Sequence, residues 1–231
     1  MNLTLFDLDH TLLPIDSDYS WGVFTQTLGW TDPVDFARRN DEFYAHYQAG
    51  TLDVRDYVAF ATEAVRRQGA SKAALAHADF MRTVVQPVIQ DQALELVRSH
   101  QRAGDEVVIV TATNEFVTRP IAQAFGVREL IAVELEREPD SSGGNWITGK
   151  IRGVPSFREG KVSRVEQWLA QRNLCWSDVN VTFYTDSIND LSLLEKVNTP
   201  VATNPDARLR AIALERGWRI LELFSNDQKT D

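Results

Sequence analysis

Short, largely apolar β-rich runs at 3–6 (LTLF), 107–112 (VVIVTA), 181–185 (VTFYT) and 201–202 (VA), with a further candidate at 219–223 (RILEL), are separated by segments whose apolar positions recur at helical spacing. Strands without polar alternation are buried on both faces, so the pattern predicts an α/β fold: a doubly wound parallel sheet covered by helices. Helical spacing is read at 18–28, 33–48, 53–68, 71–83 and 89–103, which leaves no strand between the first and second apolar runs. One crossover does not need that much chain. Residues 15–85 are therefore expected to form a helical cap domain inserted after the first strand, and 1–14 with 86–231 the α/β core, 86–103 returning as the crossover helix. The stretch ELIAVELEREPDSSGGNWITGKIRG, residues 129–153, reads as two strands joined by a Ser/Gly-rich turn at 139–145, an antiparallel hairpin on the sheet.

With 231 residues, 43% of them hydrophobic, the chain can bury a full core. A formal charge of −9 opposes approach to a polyanion, so neither nucleic acid nor an anionic membrane is an expected partner. The single cysteine, Cys175, excludes an internal disulfide, and the absence of a Cys/His cluster leaves no zinc site to propose. No window approaches 18 consecutive apolar residues, and NLTLF after Met1 reads as a first strand rather than a signal peptide, so a reduced, cytoplasmic setting is expected.

The chemistry sits at the strand ends. Asp7 and Asp9 follow the first strand, where ligands of open parallel sheets bind; an Asx-type turn is the bland alternative. A calcium loop is excluded, because Leu12 stands where its glycine must turn and Asp18 where its bidentate glutamate belongs. Thr111 closes the second strand with Ala112 beside it, where a hydroxyl and backbone N–H groups could receive phosphate oxygens. Asp186 follows a later strand, with Asn189 and Asp190 three and four residues on, although Asp186 or Ser187 could simply cap a helix. Lys161 begins the helix KVSRVEQWLAQRN, where a cation opposes the macrodipole unless an anion binds there; a solvated surface lysine is the alternative.

Taken in chain order, D-x-D-x-T, Thr, Lys and D-x-x-N-D resemble the haloacid dehalogenase-like superfamily over nearly the whole chain, most closely its phosphoserine phosphatase-like branch. The resemblance implies a Mg²⁺-dependent phosphatase acting on a small phosphate ester, with Asp7 as nucleophile and Asp9 as general acid and base. It implies Mg²⁺ held by Asp7, Asp186 and the backbone carbonyl of Asp9, with Asn189 and Asp190 behind them, and phosphate held by Thr111, Ala112 and Lys161. One departure is that Thr185 and Ser187 flank Asp186 where the family usually has glycines.

In that branch an acidic residue after the first motif holds the substrate amine, and Asp16 falls at its position. Asp18, Tyr19 and Trp21 follow, and this acidic and aromatic mixture suits an amine-bearing ester, histidinol phosphate ahead of phosphoserine. Tyr19 and Trp21 could equally be cap core, and Arg38, Arg39 and Arg55 are the candidates for the branch's carboxylate-binding cap arginine, with solvated helix charges as the alternative reading. A phosphotransferase or mutase using the same aspartyl phosphate, or a non-catalytic phospholigand-binding module, are the alternatives. His10, His46, His77 and His100 lack partner spacing and are read as packing or surface residues.

Overall fold

The computed structural model describes residues 1–49, 51–140 and 144–224. Six parallel strands form one sheet in the order β3-β2-β1-β6-β7-β8, comprising β1 (Asn2–Phe6), β2 (Glu106–Asn114), β3 (Glu129–Val133), β6 (Asn180–Thr185), β7 (Thr199–Thr203) and β8 (Arg219–Leu221). The central strand β1 pairs with β2 from Leu3↔Glu106 to Phe6↔Ile109 and with β6 from Asn2↔Asn180 to Phe6↔Tyr184. Chain order reverses direction across β1, which places the crevice of a doubly wound sheet beside Asp7.

Both faces of the sheet are covered. Leu3, Leu5, Val108, Val110, Val181 and Phe183 pack under α8 (Glu159–Ala170) and α10 (Ala207–Arg216) through Val165, Trp168, Leu169, Leu209 and Ala213. The opposite face, with Phe6, Ile109 and Tyr184, is covered by α6 (Asp91–Arg102) and α7 (Glu115–Ala124).

Between β1 and β2 lie α1 (Ser17–Thr27), α2 (Pro33–Ala49), α3 (Val54–Ala61), α4 (Glu63–Arg66) and α5 (Ala70–Phe80). The single helix expected over 53–68 is divided at Thr62, whose hydroxyl donates to the Val58 carbonyl (2.7 Å). Helix α5 runs into a π-turn at Met81–Val85 and a 3₁₀ turn at Gln86–Val88 before α6 begins. These helices share their packing with one face of the sheet: Trp21, Val58, Val65 and Phe80 belong to the same apolar cluster as Val97, Ile109 and Ile121. Trp21 meets Phe80 and Phe116 edge-on at 5.2 and 5.4 Å. Gly22 lets α1 approach Phe36, since a Cβ there would lie 2.3 Å from that ring.

The expected two-strand hairpin is in fact three strands. Residues Glu129–Val133 join the main sheet beside β2, and only β4 (Leu135–Pro139) and β5 (Asn145–Ile151) form the antiparallel pair. ELIAV ends in consecutively buried residues, as an internal strand does, whereas LEREP runs outward into solvent. Glu134 marks the break, its carbonyl accepting from Arg152 N (2.8 Å) and its carboxylate facing Arg164 and Arg152. Part of the expected turn, 141–143, lies outside the described residues. The hairpin leans on α4: Arg66 donates to the Thr148 carbonyl (2.9 Å), and Trp146 Nε1 to the Arg66 carbonyl (3.2 Å). Gly149, at φ 89°, permits this approach, because a Cβ would come within 2.6 Å of the guanidinium.

Candidate active site

Asp7 leaves β1 with its amide still donating to the Tyr184 carbonyl (2.9 Å), so its backbone is fixed by the sheet itself. The chain then turns sharply. The Leu8 carbonyl accepts from the amides of Thr11, Leu12 and Leu13, while Leu8, Leu12 and Leu13 are fully buried. His10 occupies the left-handed region at φ 56°, and its carbonyl accepts from Asn204 Nδ2 (2.9 Å). It is thus a turn residue, a role that a non-glycine fills infrequently.

Thr11 is central to this turn. Its hydroxyl lies 3.4 Å from Asp7 Oδ2 and 3.3 Å from Asp186 Oδ1, and it accepts from the Asp186 amide at 2.9 Å. One hydroxyl carries one proton, so the two carboxylates share a donor that can serve only one at a time. On the other side, Lys161 Nζ donates to Asp7 Oδ1 (2.8 Å) and Asp190 Oδ2 (2.7 Å), and Thr185 Oγ1 also donates to Asp190 Oδ2 (2.7 Å). Lys161, in the first turn of α8, is 2% exposed, which removes the solvated-lysine alternative.

The residues of the late motif separate. Asp190 faces Lys161, while Asn189 and Ser187 reach the hydroxyl of Tyr47 from α2, Ser187 Oγ at 3.3 Å. Asn189 and Asp190 lie in a 3₁₀ turn, Ile188–Asp190, ahead of the short α9 (Leu191–Leu194). Asp206 holds this loop from behind, accepting from the Ile188 amide (2.8 Å) while capping α10.

Asp9 is fixed at both oxygens, Oδ1 by the Ser17 amide and Oδ2 by Thr113 Oγ1, each at 2.9 Å. Thr111 is buried near the end of β2, where its hydroxyl accepts from Thr113 N (3.1 Å) and keeps its own proton for an acceptor; half-buried Ala112 lies between them. Asp16 is half-buried and caps α1, accepting from the amides of Asp18 and Tyr19 at 2.9 Å. Asp18 is buried and accepts from Asn114 Nδ2 (3.1 Å), with the Tyr57 hydroxyl as a second partner. Trp21 is core and Tyr19 is 41% exposed.

Charge follows geometry. Burial works against the Lys161 ammonium, but Asp190 and Asp7 outweigh it and hold its pKa above the ordinary range. Asp186 is pushed well up by burial and then by the charges of Asp7 and Asp190. Burial raises Asp190 as well, against the pull of Lys161. One ammonium among three carboxylates, Asp7 and Asp190 buried and Asp186 half-buried, leaves an excess of negative charge that a hard cation would relieve. Among the described residues no group of three or more His, Cys, Asp or Glu side chains is placed to hold a metal. The carboxylates that do converge, Asp7 and Asp186 on Thr11, fit Mg²⁺, which is commonly bound through one or two carboxylates and keeps several waters. Asp9 is raised well above the usual carboxyl range by burial and then by Asp16, which favours its protonated form.

Sequence reasoning assigned no role to Thr11, Thr113, Tyr47, Asn204 or Asp206. Only Thr11 carried a signal, as the last residue of D-x-D-x-T. His100 has partners after all: it is held by Asp105 (2.7 Å), Thr4 (3.1 Å) and the Tyr184 hydroxyl (2.9 Å), a network packed on Phe6.

The profile of the haloacid dehalogenase-like hydrolases matches residues 4–195. A histidinol-phosphatase of Neisseria meningitidis serogroup C (strain 8013) is 40% identical over 221 residues, 95% of this chain and 98% of that protein. Phosphoserine phosphatase SerB1 of Mycobacterium tuberculosis (strain ATCC 25618 / H37Rv) is 34% identical over 137 residues, 59% of this chain and 42% of that one. A protein of unknown function from Bordetella pertussis Tohama I has a crystal structure that superposes with a TM-score of 0.88 at 47% identity, covering 96% of this chain and 99% of that chain. A substrate-bound phosphoserine phosphatase complex, at 15% identity and a TM-score of 0.63, covers 96% and 92%, a likeness of fold alone.

Proposed function

We propose that this chain, a phosphatase belonging to the haloacid dehalogenase-like hydrolase family, hydrolyses small amine-bearing phosphate monoesters, histidinol phosphate ahead of phosphoserine. The observation that carries the reading is the pair of differently placed aspartates at the end of β1. Asp7 faces Lys161 and Asp186 on the sheet side, and Asp9 is half-buried, disposed to hold a proton, and fixed by α1 and β2. Asp7 is the nucleophile: it attacks phosphorus and displaces the alcohol, giving an aspartyl phosphate that water then hydrolyses. Asp9 donates its proton to the leaving oxygen and takes one from the attacking water in the second step. Lys161 and Thr111 neutralise and position the phosphoryl oxygens with the Ala112 backbone, and Asp190 orients Lys161. Mg²⁺, held by Asp7, Asp186 and the Asp9 carbonyl with Asn189 nearby, would supply charge neutralisation at the transferring phosphoryl group.

Residues 15–85 serve as the cap over a core of 1–14 and 86–231 and supply the acidic wall that selects the ester. Asp9, Asp16 and Asp18 lie within electrostatic reach of one another, an environment that favours a substrate cation. Phosphoserine would also need a cation for its carboxylate. Arg38 and Arg39 are already engaged by Asp35, Glu42 and Glu63, and Arg66 by main-chain carbonyls, while Arg55 is exposed at the start of α3. Histidinol phosphate, which has the amine without the carboxylate, fits better.

The test is phosphate release from histidinol phosphate, phosphoserine and glucose 6-phosphate with Mg²⁺ and with a chelator, in the presence and absence of an alcohol acceptor. We expect chelation to abolish turnover, and kcat/KM for histidinol phosphate to exceed that for glucose 6-phosphate by about tenfold to a hundredfold. Equal rates on the three esters would overturn the substrate assignment, and undiminished hydrolysis in chelator would overturn the metal.

A further inference from the structure

We propose that Thr113 is the positioning residue for Asp9, its hydroxyl holding the carboxyl group in the rotamer that meets the leaving-group oxygen. The inference rests on the role proposed above for Asp9 and adds a residue to it. The Asp9 carboxyl can turn about its Cβ–Cγ bond, a broad and soft torsion. Two contacts from different elements stop it: the Ser17 amide at the start of α1 takes Oδ1, and Thr113 Oγ1 near the end of β2 takes Oδ2, both at 2.9 Å. Without the second contact only one oxygen is anchored.

Thr113 suits this task. It is 8% exposed, so its hydroxyl has little access to bulk water. Its own amide is tied to Thr111 Oγ1 at 3.1 Å, and the next residue, Asn114, caps α7 by accepting from Phe116 N and Val117 N. The register of β2 against β3 shifts between Val110 and Asn114, a local irregularity of the kind that re-aims a side chain. A β-branched residue is also stiff at χ1, so the fixed backbone fixes the hydroxyl. Each polar side chain of T-A-T-N thus has a partner, and the one belonging to Thr113 is the acid.

The Thr113 hydroxyl donates to Oδ2, which leaves the carboxyl proton for the leaving-group oxygen and holds the carboxylate in place once that proton is gone. Valine is isosteric and cannot donate. Thr113→Val, Thr113→Ser and Asp9→Asn would be compared by kcat/KM, which covers phosphoryl transfer to Asp7, on p-nitrophenyl phosphate and phenyl phosphate. The nitrophenolate leaves without help; the more basic phenolate needs the proton. We expect Thr113→Val to lose about tenfold to a hundredfold on phenyl phosphate and less than about threefold on p-nitrophenyl phosphate, with Thr113→Ser restoring most of the loss. Asp9→Asn should show the same selectivity, more strongly. Equal losses on both esters in Thr113→Val, or no rescue by serine, would overturn the proposal while leaving Asp9 as the acid. Equal losses in Asp9→Asn would instead remove the acid role of Asp9, and the proposal with it.

Discussion

Asp18→Asn should stabilise the protein more at pH 8 than at pH 5. Asp18 is buried against Asn114 and Tyr57, and burial, then the charge of Asp16, raises its pKa from 3.8 to about 7. A carboxyl whose folded pKa is raised keeps its proton in the folded state where the unfolded chain has lost it. The unfolded state then binds fewer protons, so stability falls as pH rises from about 4 to about 7 and levels off above. A shift of about 3 units corresponds to about 4 kcal/mol as a ceiling, of which about 2–3 kcal/mol develops between pH 5 and pH 8. Relaxation around the site reduces this, and a gain of about 1–2 kcal/mol at pH 8 over that at pH 5 is the working expectation. Asparagine keeps the acceptor for Asn114 and cannot ionise, so the variant lacks this slope while sharing that of every other group. Urea unfolding of both proteins at the two pH values measures the difference. A ΔΔG independent of pH, or a variant less stable than the parent at pH 8, would refute the reasoning.

Lys161→Met should leave Asp7 and Asp190 facing each other without their ammonium, costing about 3–5 kcal/mol in urea unfolding, and Asp190→Asn added to it should recover stability but not phosphatase activity. Asp16→Asn should narrow the preference for amine-bearing over sugar phosphates with little loss of stability, whereas Asp16→Ala, which also removes the α1 cap, should cost about 1 kcal/mol more. An unchanged substrate ratio in both would show that Asp16 serves only as a cap. Tyr47→Phe removes the hydroxyl that meets Ser187 and Asn189, and should alter kcat and KM together while leaving Tm within about 2 °C; a change in Tm alone would make the contact structural.

The parts of the fold that were legible are those set by local pattern. LTLF, VVIVTA and VTFYT are largely apolar, β-rich runs, and because their strands are parallel and in register they bring Asp7, Thr111 and Asp186 to the same end of the sheet, although β2 continues past Thr111 to Asn114. ELIAV and LEREP ran together in the sequence because only Glu134, whose arginine partners lie just after β5 and on α8, divides them. Thr62 gave no sign of dividing a helix, since the bond from its hydroxyl to Val58 is visible only once the helix exists. The side chains that hold the site were harder still. Thr113 reaches Asp9 across 104 residues and Tyr47 reaches Ser187 across 140, and nothing at either position distinguishes it from an ordinary strand or helix residue. His100 had no spacing to mark it, yet Thr4, Asp105 and Tyr184 gather around it from three places in the chain.

The central claim is that Asp7 carries the phosphoryl group between the ester and water. The most direct test is rapid acid quench of the enzyme turning over p-nitrophenyl phosphate with Mg²⁺, followed by borohydride trapping and peptide mass mapping, run on the parent, Asp7→Asn and Asp9→Asn. The account predicts one phosphoryl-derived modification, located at Asp7 in the parent, accumulating to a higher level in Asp9→Asn because that variant is slow to release it, and absent from Asp7→Asn. A modification at any other residue, its persistence in Asp7→Asn, or full turnover by Asp7→Asn would contradict it.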